Sequence, residues 1–283
     1  MKRGITRRTA LGGSAGLATS LMLCDTIAAA APQPSDLTLW YQQPAAKWVE
    51  ALPVGNGRIG AMVFGGIARE RLQLNESSFW SGGPYDPVNP TAHDALPEVR
   101  RLIFAGRFAE AQAMANAKLM AKPLAEMSYQ PIGDLVIEMP GIDPATTRDY
   151  RRALDLDSAL ASTSFSQAGI VFRREVIASP VDQVIAVRIS ADKPKAINLD
   201  ISLTSPQSAS ASIVDDDIRL SGKGPADQGI EGALRFAAQA HVQTEGGSRK
   251  KGDGHIEVRG ADADDPGRNG DQPQEFRRCQ RRS

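Results

Sequence analysis

The chain has 283 residues, 41% of them hydrophobic, which is enough for one large β domain or two smaller ones. Its 33 basic side chains balance its 33 acidic ones, so charge gives no reason to expect nucleic acid or an anionic membrane as the main partner, although local patches remain open. Only two cysteines occur, Cys24 and Cys279, close to opposite ends, which excludes a disulfide framework for the body of the chain.

Residues 1–31 stand apart from the rest. Thr6-Arg7-Arg8-Thr9-Ala10-Leu11 precedes a mildly apolar stretch, Leu17 to Ile27, and then the small residues Ala28 to Ala31 before Pro32. This order predicts a twin-arginine-type signal peptide and an exported product, periplasmic or extracellular. The stretch falls short of the ~20 apolar residues of a spanning helix, so no membrane association is expected after cleavage. A lipid anchor on Cys24 is the alternative, and the bulky Met22-Leu23 before it argues against that. Twin-arginine export carries folded proteins, in keeping with a core held without disulfides.

The densest block runs from Leu37 to Pro84. Gly55, Gly57, Gly60, Gly65 and Gly66 punctuate the apolar residues Ile59, Met62, Val63, Phe64 and Ile67, which predicts short strands joined by tight turns, with Asn56-Gly57 as one of them. Trp40, Trp48 and Trp80, the only tryptophans, fall within this block. They are expected to anchor the core of a β-sandwich, and each ring could alternatively stack on a sugar face.

From His93 to Leu119 the apolar residues recur at threes and fours, which predicts two helices divided by Gly106. Asp94 is the expected N-cap, Pro97 falls in the first turn, and Gly106 closes the first helix in the left-handed conformation. Met114 and Met120 read as core filler. Strand signals return at Leu135 to Ile137, Ala161 to Ser166, Ile170 to Phe172, Val176-Ile177, Val184 to Ile189 and Ile197 to Leu203. Gln167-Ala168-Gly169, Ala191 to Pro194 and the polar stretch Ser205 to Asp217 are read as turns between them. Ile218 to Leu220, Leu234 to Val242 and His255 to Val258 are the last strand candidates. The fold class is therefore mainly β: a large antiparallel β-sandwich (super-sandwich) with a short two-helix insertion packed on its edge. Residues 32–263 form that domain. Residues 264–283 hold few apolar side chains and are expected to be disordered.

The motifs of the block, in order, carry a resemblance. Leu39-Trp40-Tyr41, Ala51 to Ala61, Leu74-Asn75-Glu76, Trp80-Ser81-Gly82-Gly83-Pro84, Tyr129 to Leu135, Asp149 to Arg152, Leu154 to Asp157 and Arg174-Glu175-Val176 together resemble the amino-terminal domain of glycoside hydrolase family 95, the α-L-fucosidases. The resemblance implies a fucosylated glycan as the partner of the complete enzyme. It also implies that the general acid and the asparagine and aspartate that activate water lie on a later (α/α)6 barrel, so no catalytic residue is assigned in this chain and the chain alone is expected to be inactive. Family members continue with an apolar strand where Ala263 ends. The switch in composition there suggests a reading-frame change or truncation, a natural flexible tail being the alternative.

Other candidates for chemistry are few. An inverting glycosidase needs two carboxyl groups ~6.5–9.5 Å apart. Asp155 and Asp157, placed on one face of a strand about 7 Å apart, are the nearest local pair. Arg151, Arg152, Arg173 and Arg174 are available to neutralise them, and surface ion pairs are the expected outcome. Asp215-Asp216-Asp217 lacks the ligand spacing of a calcium loop and reads as a solvated turn. His93, His241 and His255 are scattered, so no metal site is expected, and no cofactor. Gly55 to Gly60 spells GxGxxG without the βαβ unit that a dinucleotide site needs. Asn75, Glu76 and Trp80 are the candidate substrate-binding or interdomain residues: an amide, a carboxylate and an aromatic ring before a glycine-rich loop. A free-standing carbohydrate-binding module is the competing reading of the whole chain.

Overall fold

The computed structural model describes residues 37–262; the leader, the tail beyond it and both cysteines lie outside the described residues. In chain order the strands are β1 (Thr38–Tyr41), β2 (Leu52–Gly55), β3 (Ile59–Val63) and β4 (Arg69–Glu76), then the helices α1 (Ala92–Phe104) and α2 (Phe108–Lys118). They are followed by β5 (Gly133–Glu138), β6 (Arg148–Asp155), β7 (Leu160–Gln167), β8 (Ile170–Ser179), β9 (Val184–Ala191) and β10 (Ile197–Thr204). The last are β11 (Ser208–Val214), β12 (Asp217–Lys223), β13 (Arg235–Ala240), β14 (Ser248–Lys251) and β15 (His255–Ala261).

Three antiparallel sheets result, in the orders β1-β6-β7-β8-β9, β14-β15-β10-β5-β4-β3-β2 and β11-β12-β13. The mainly β, super-sandwich class is thus the observed one. Period-two alternation decides which faces meet. On β7, Ala161, Thr163 and Phe165 turn inward, and on β10 so do Ile197, Leu199, Ile201 and Leu203. One core lies between β2, β3 and β4 on one side and β6, β7 and β8 on the other, built from Leu52, Val54, Val63, Leu72, Leu154 and Val176. A second joins β10 and β15 to Ile218 and Leu220 of β12 and to the stacked pair Phe165 and Phe172, whose centroids are 5.4 Å apart. Both edges of the seven-stranded sheet are protected. Pro53 sits in edge strand β2, and Arg249, Lys250 and Lys251 fill edge strand β14.

Two segments differ from the sequence reading. Ser208 to Val214 is a strand, not part of a turn, because Asp215 and Asp216 both adopt positive φ (49° and 73°) and close a two-residue hairpin that pairs Val214 with Asp217. The turn is real but two residues long. The strands β6 to β9 form a meander, whereas β10 crosses to the larger sheet.

The helical pair also differs in detail. Val99, Leu102 and Ala111 bury against Met114, Ala115 and Leu119, so the two helices make their own small core. Phe104 and Phe108 are exposed, as is Met120, so Met120 is not core filler. Asp94 lies inside the first turn of α1, where a carboxylate suits the helix dipole, and Thr91 occupies the N-cap position. Buried Asn89 organises that entry: its Oδ1 accepts from the Thr91 amide and hydroxyl, and its Nδ2 donates to the Met120 carbonyl. Gly106, at φ 72°, ends α1 as expected, with its amide on Ile103 O and that of Arg107 on Leu102 O, the paired bonds of a Schellman motif.

Candidate functional site

None of the three tryptophans is a core anchor. Trp40, Trp48 and Trp80 are 45%, 54% and 41% exposed. The core is filled instead by aliphatic residues and phenylalanines, and the indoles lie on the rim. The Arg151 guanidinium lies over the Trp40 ring at 4.9 Å, and Trp48 opens a short 3₁₀ turn.

What holds the block in place is a set of buried polar side chains. Alternation on β8 turns Arg174 inward beside Phe172 and Val176, and alternation on β4 turns Glu70 inward beside Leu72. The two form an ion pair between the sheets, with Arg174 2% and Glu70 0% exposed. Glu70 Oε1 also accepts from the amides of Gly65 (2.9 Å) and Arg71 (3.0 Å), and Arg174 Nη1 donates to Gly66 O at 3.0 Å. Tyr150 donates to Gly65 O at 2.6 Å, and burial pushes its phenol above the usual range. Arg152, also buried, donates to the carbonyls of Gln43 (2.8 Å) and Glu50 (2.7 Å) and lies over the Tyr41 ring. Arg174 and Tyr150 thus fasten the loop 65–70 to the sheet that faces it, and Arg152 fastens the segment that follows β1.

The candidate residues do not form one cluster. Asn75 and Glu76 are consecutive on β4 and so point to opposite faces; Asn75 pairs in register with Gly60. Glu76 Oε2 accepts from the amide (2.8 Å) and hydroxyl (2.6 Å) of Ser78, and Oε1 lies 3.7 Å from Arg58, so its carboxylate stabilises the turn that follows β4. Trp80 bonds through Nε1 to Ser77 O and meets Tyr129 edge to face at 5.2 Å, while the Tyr129 hydroxyl donates to Glu76 O. Glu76 and Trp80 are therefore linked through Tyr129.

Trp80 lines an open cavity of about 440 Å³ with Ser78, the Gly82-Gly83-Pro84 loop, Met127 and Leu234. Glycine is required in that loop: Gly82 has φ 67°, and a Cβ on Gly83 would stand 2.7 Å from Ala233 Cβ. Glu126 is the sole carboxylate in the lining. Ser81 and Asp227, 146 residues apart, lock the loop from beneath: Ser81 Oγ donates to Asp227 Oδ2 at 2.6 Å, and the Ser128 amide donates to the same oxygen at 2.9 Å. Sequence reading missed Tyr129, Ser128 and Asp227. Tyr129 had a signal, as the first residue of the Tyr129 to Leu135 motif; Asp227 had none, its role resting on a long-range contact.

The Ser81 hydroxyl and Ser128 hold the Asp227 carboxyl down to about 2. A carboxyl lowered in the folded state stabilises above its unfolded value, about 4, and that contribution is lost as pH falls through the folded value. The emission of Trp80, read in a Trp40→Phe/Trp48→Phe background, is expected to stay constant from about pH 8 to 5 and to change between about 4 and 2. Asp227→Asn is expected to abolish the change. A transition centred above about pH 5, or one that persists in the asparagine variant, would contradict the assignment.

Asp155 and Asp157 do not share a strand face. Asp155 closes β6 and Asp157 lies in the following turn, where the amides of Asp157 and Ser158 both donate to Asp155 Oδ1. These backbone bonds lower the Asp155 carboxyl. Among the described residues no ion pair joins them to the neighbouring arginines: Arg152 and Arg174 are buried on other partners, and Arg151 lies over the Trp40 ring. Asp217, unlike its two neighbours, is buried in β12, where His241 Nδ1 and Gln239 Nε2 approach it. Among the described residues no group of three or more histidines, cysteines or carboxylates is gathered as a metal site.

An antiparallel super-sandwich with a glycine-rich rim, an exposed indole and an open groove is the class of domain that this geometry defines. The chain belongs to the glycosyl hydrolase family 65 N-terminal domain family, whose model matches residues 39–264. It is 41% identical over 170 residues to alpha-L-fucosidase 2 of Arabidopsis thaliana, covering 60% of this chain and 20% of that protein. It is 33% identical over 201 residues to probable alpha-fucosidase A of Aspergillus niger, covering 66% of this chain and 24% of the relative. The chain thus spans about a fifth to a quarter of the length of the curated relatives it matches. The resemblance to the amino-terminal domain of the family 95 α-L-fucosidases holds on the side of these relatives, while the domain itself bears the family 65 description.

Proposed function

We propose that these residues are the amino-terminal support of an exported α-L-fucosidase-like glycoside hydrolase that cleaves α-linked L-fucosides through a catalytic part lying outside them. The observation that carries the reading is the alignment: relatives named as α-fucosidases match this sandwich with about a fifth to a quarter of their length. Two features support it. The open cavity beside Trp80 holds one carboxylate where hydrolysis needs two. The exposed apolar side chains Trp40, Trp48, Val49 and Phe104 suit a domain that packs against further protein. The Arg7-Arg8 leader supports export, and the balanced charge supports a neutral glycan over nucleic acid or membrane as the partner of the complete enzyme.

One observation favours the second reading, a free-standing carbohydrate-binding module: the Trp80 indole borders that cavity and is accessible. Calorimetric titration of the purified chain with fucosylated oligosaccharides separates the two. The support reading expects no saturable heat at millimolar sugar. Saturable binding that is lost in Trp80→Ala would overturn it in favour of the module.

A further inference from the structure

The outward face of the β11-β12-β13 sheet has no part in the site above. Its register places Ser208, Lys223 and Arg235 side by side, then Ser210, Ser221 and Ala237, then Ser212, Arg219 and Gln239. Arg219, Lys223 and Arg235 are exposed, and with Ser208 and Ser221 they line a cavity of about 500 Å³. None of the three cations has a carboxylate partner among the described residues. The acid on this face, Asp217, is engaged by Gln239 and His241 at the other end.

Lys223 and Arg235 are directly opposite in register. Like charges in that position oppose strand pairing, and no acid among the described residues relieves them. Arg219 lies four residues from Lys223 on the same strand, about 13 Å away. A pair of cations at one end of a groove and a third at the other end, with serine hydroxyls between, fits successive anionic groups of an extended polymer better than a single ion. The aromatic ring in the lining, Phe236, is turned against Phe79 at 4.9 Å, so no ring is free for a nucleobase to stack upon. With the chain neutral overall, attraction here is local and short-ranged.

We propose that this face binds an acidic polysaccharide through its sulfate or carboxylate groups, with Arg219, Lys223 and Arg235 as the contacting cations. The site is separate from any site for a neutral fucoside and does not depend on the hydrolase reading.

The test is titration of the full chain with dextran sulfate, polygalacturonate and neutral dextran at about 0.1 M salt. Binding to either charged polymer and not to dextran is expected, and the polymer that binds identifies the group recognised. Lys223→Ser/Arg235→Ser is expected to weaken binding about tenfold and to leave urea stability unchanged or raised, because the opposed charges are gone. Arg100→Ser/Lys118→Ser, the same charge change on the helices, is expected to leave binding unchanged. Arg219→Ser, at the far end of the row, gives an independent loss. Binding to neither charged polymer, equal losses in the sheet and helix variants, or single-stranded DNA bound as tightly as dextran sulfate would each overturn the proposal.

Discussion

Glu70→Gln is expected to destabilise the domain by about 3–5 kcal/mol in urea unfolding, because it leaves the Arg174 guanidinium charged and uncompensated between the sheets. That is a large share of the 5–15 kcal/mol that holds a typical domain together. The ion pair itself contributes less than this. Arg174 Nε already lacks a partner, so part of the cost of desolvation is never recovered. Adding Arg174→Met to the glutamine variant removes the stranded charge and places a flexible apolar side chain against Met139, which Arg174 Nη2 now touches at 3.4 Å. The double variant is therefore expected to be more stable than Glu70→Gln alone. Simple addition of the two single losses would show that the residues act independently.

Arg152→Ala is expected to cost about 2–4 kcal/mol, since it deprives the Gln43 and Glu50 carbonyls of a charged donor and empties a buried volume. Its effect should also be local. The segment that leaves β1 is held to β6 by those two bonds, beside the contact of Arg152 with its register partner Tyr41, and to the end of β3 by the Ala45 amide on Phe64 O at 2.8 Å. Limited proteolysis is expected to cut within that segment in the alanine variant and to spare it in the parent chain. Cleavage unchanged by the substitution would mean that the 3₁₀ turn, with the Glu50 carboxylate on the amides of Ala46 and Lys47, and the Ala45 amide on Phe64 O hold the segment without Arg152.

The helical pair, the Gly106 stop and most of the strands were legible because each follows from a period or a glycine within a few residues. β11 was not. Its serines and alanines carry little strand preference, and its state depends on the Asp215-Asp216 hairpin and on pairing with β12. The inward arginines were readable and were missed: Arg152 shares its parity with Leu154, and Arg174 with Phe172 and Val176, which marks both as inward-facing. Proximity in sequence suggested surface pairs with Asp155 and Asp157 instead. At the candidate site, Trp80 was legible as an aromatic beside a glycine loop. The bond between Ser81 and Asp227 was not, because nothing local links residues 146 apart. The tryptophans were misread as core because ring size indicates how much surface can be buried, not which face it occupies.

The most direct measurement is release of free fucose from a fucosylated disaccharide by the purified 283-residue chain. Release at the level of an enzyme-free blank is expected, with urea unfolding confirming that the chain is folded. Fucose release that co-purifies with the chain and tracks its concentration would contradict the assignment of this sandwich as a support.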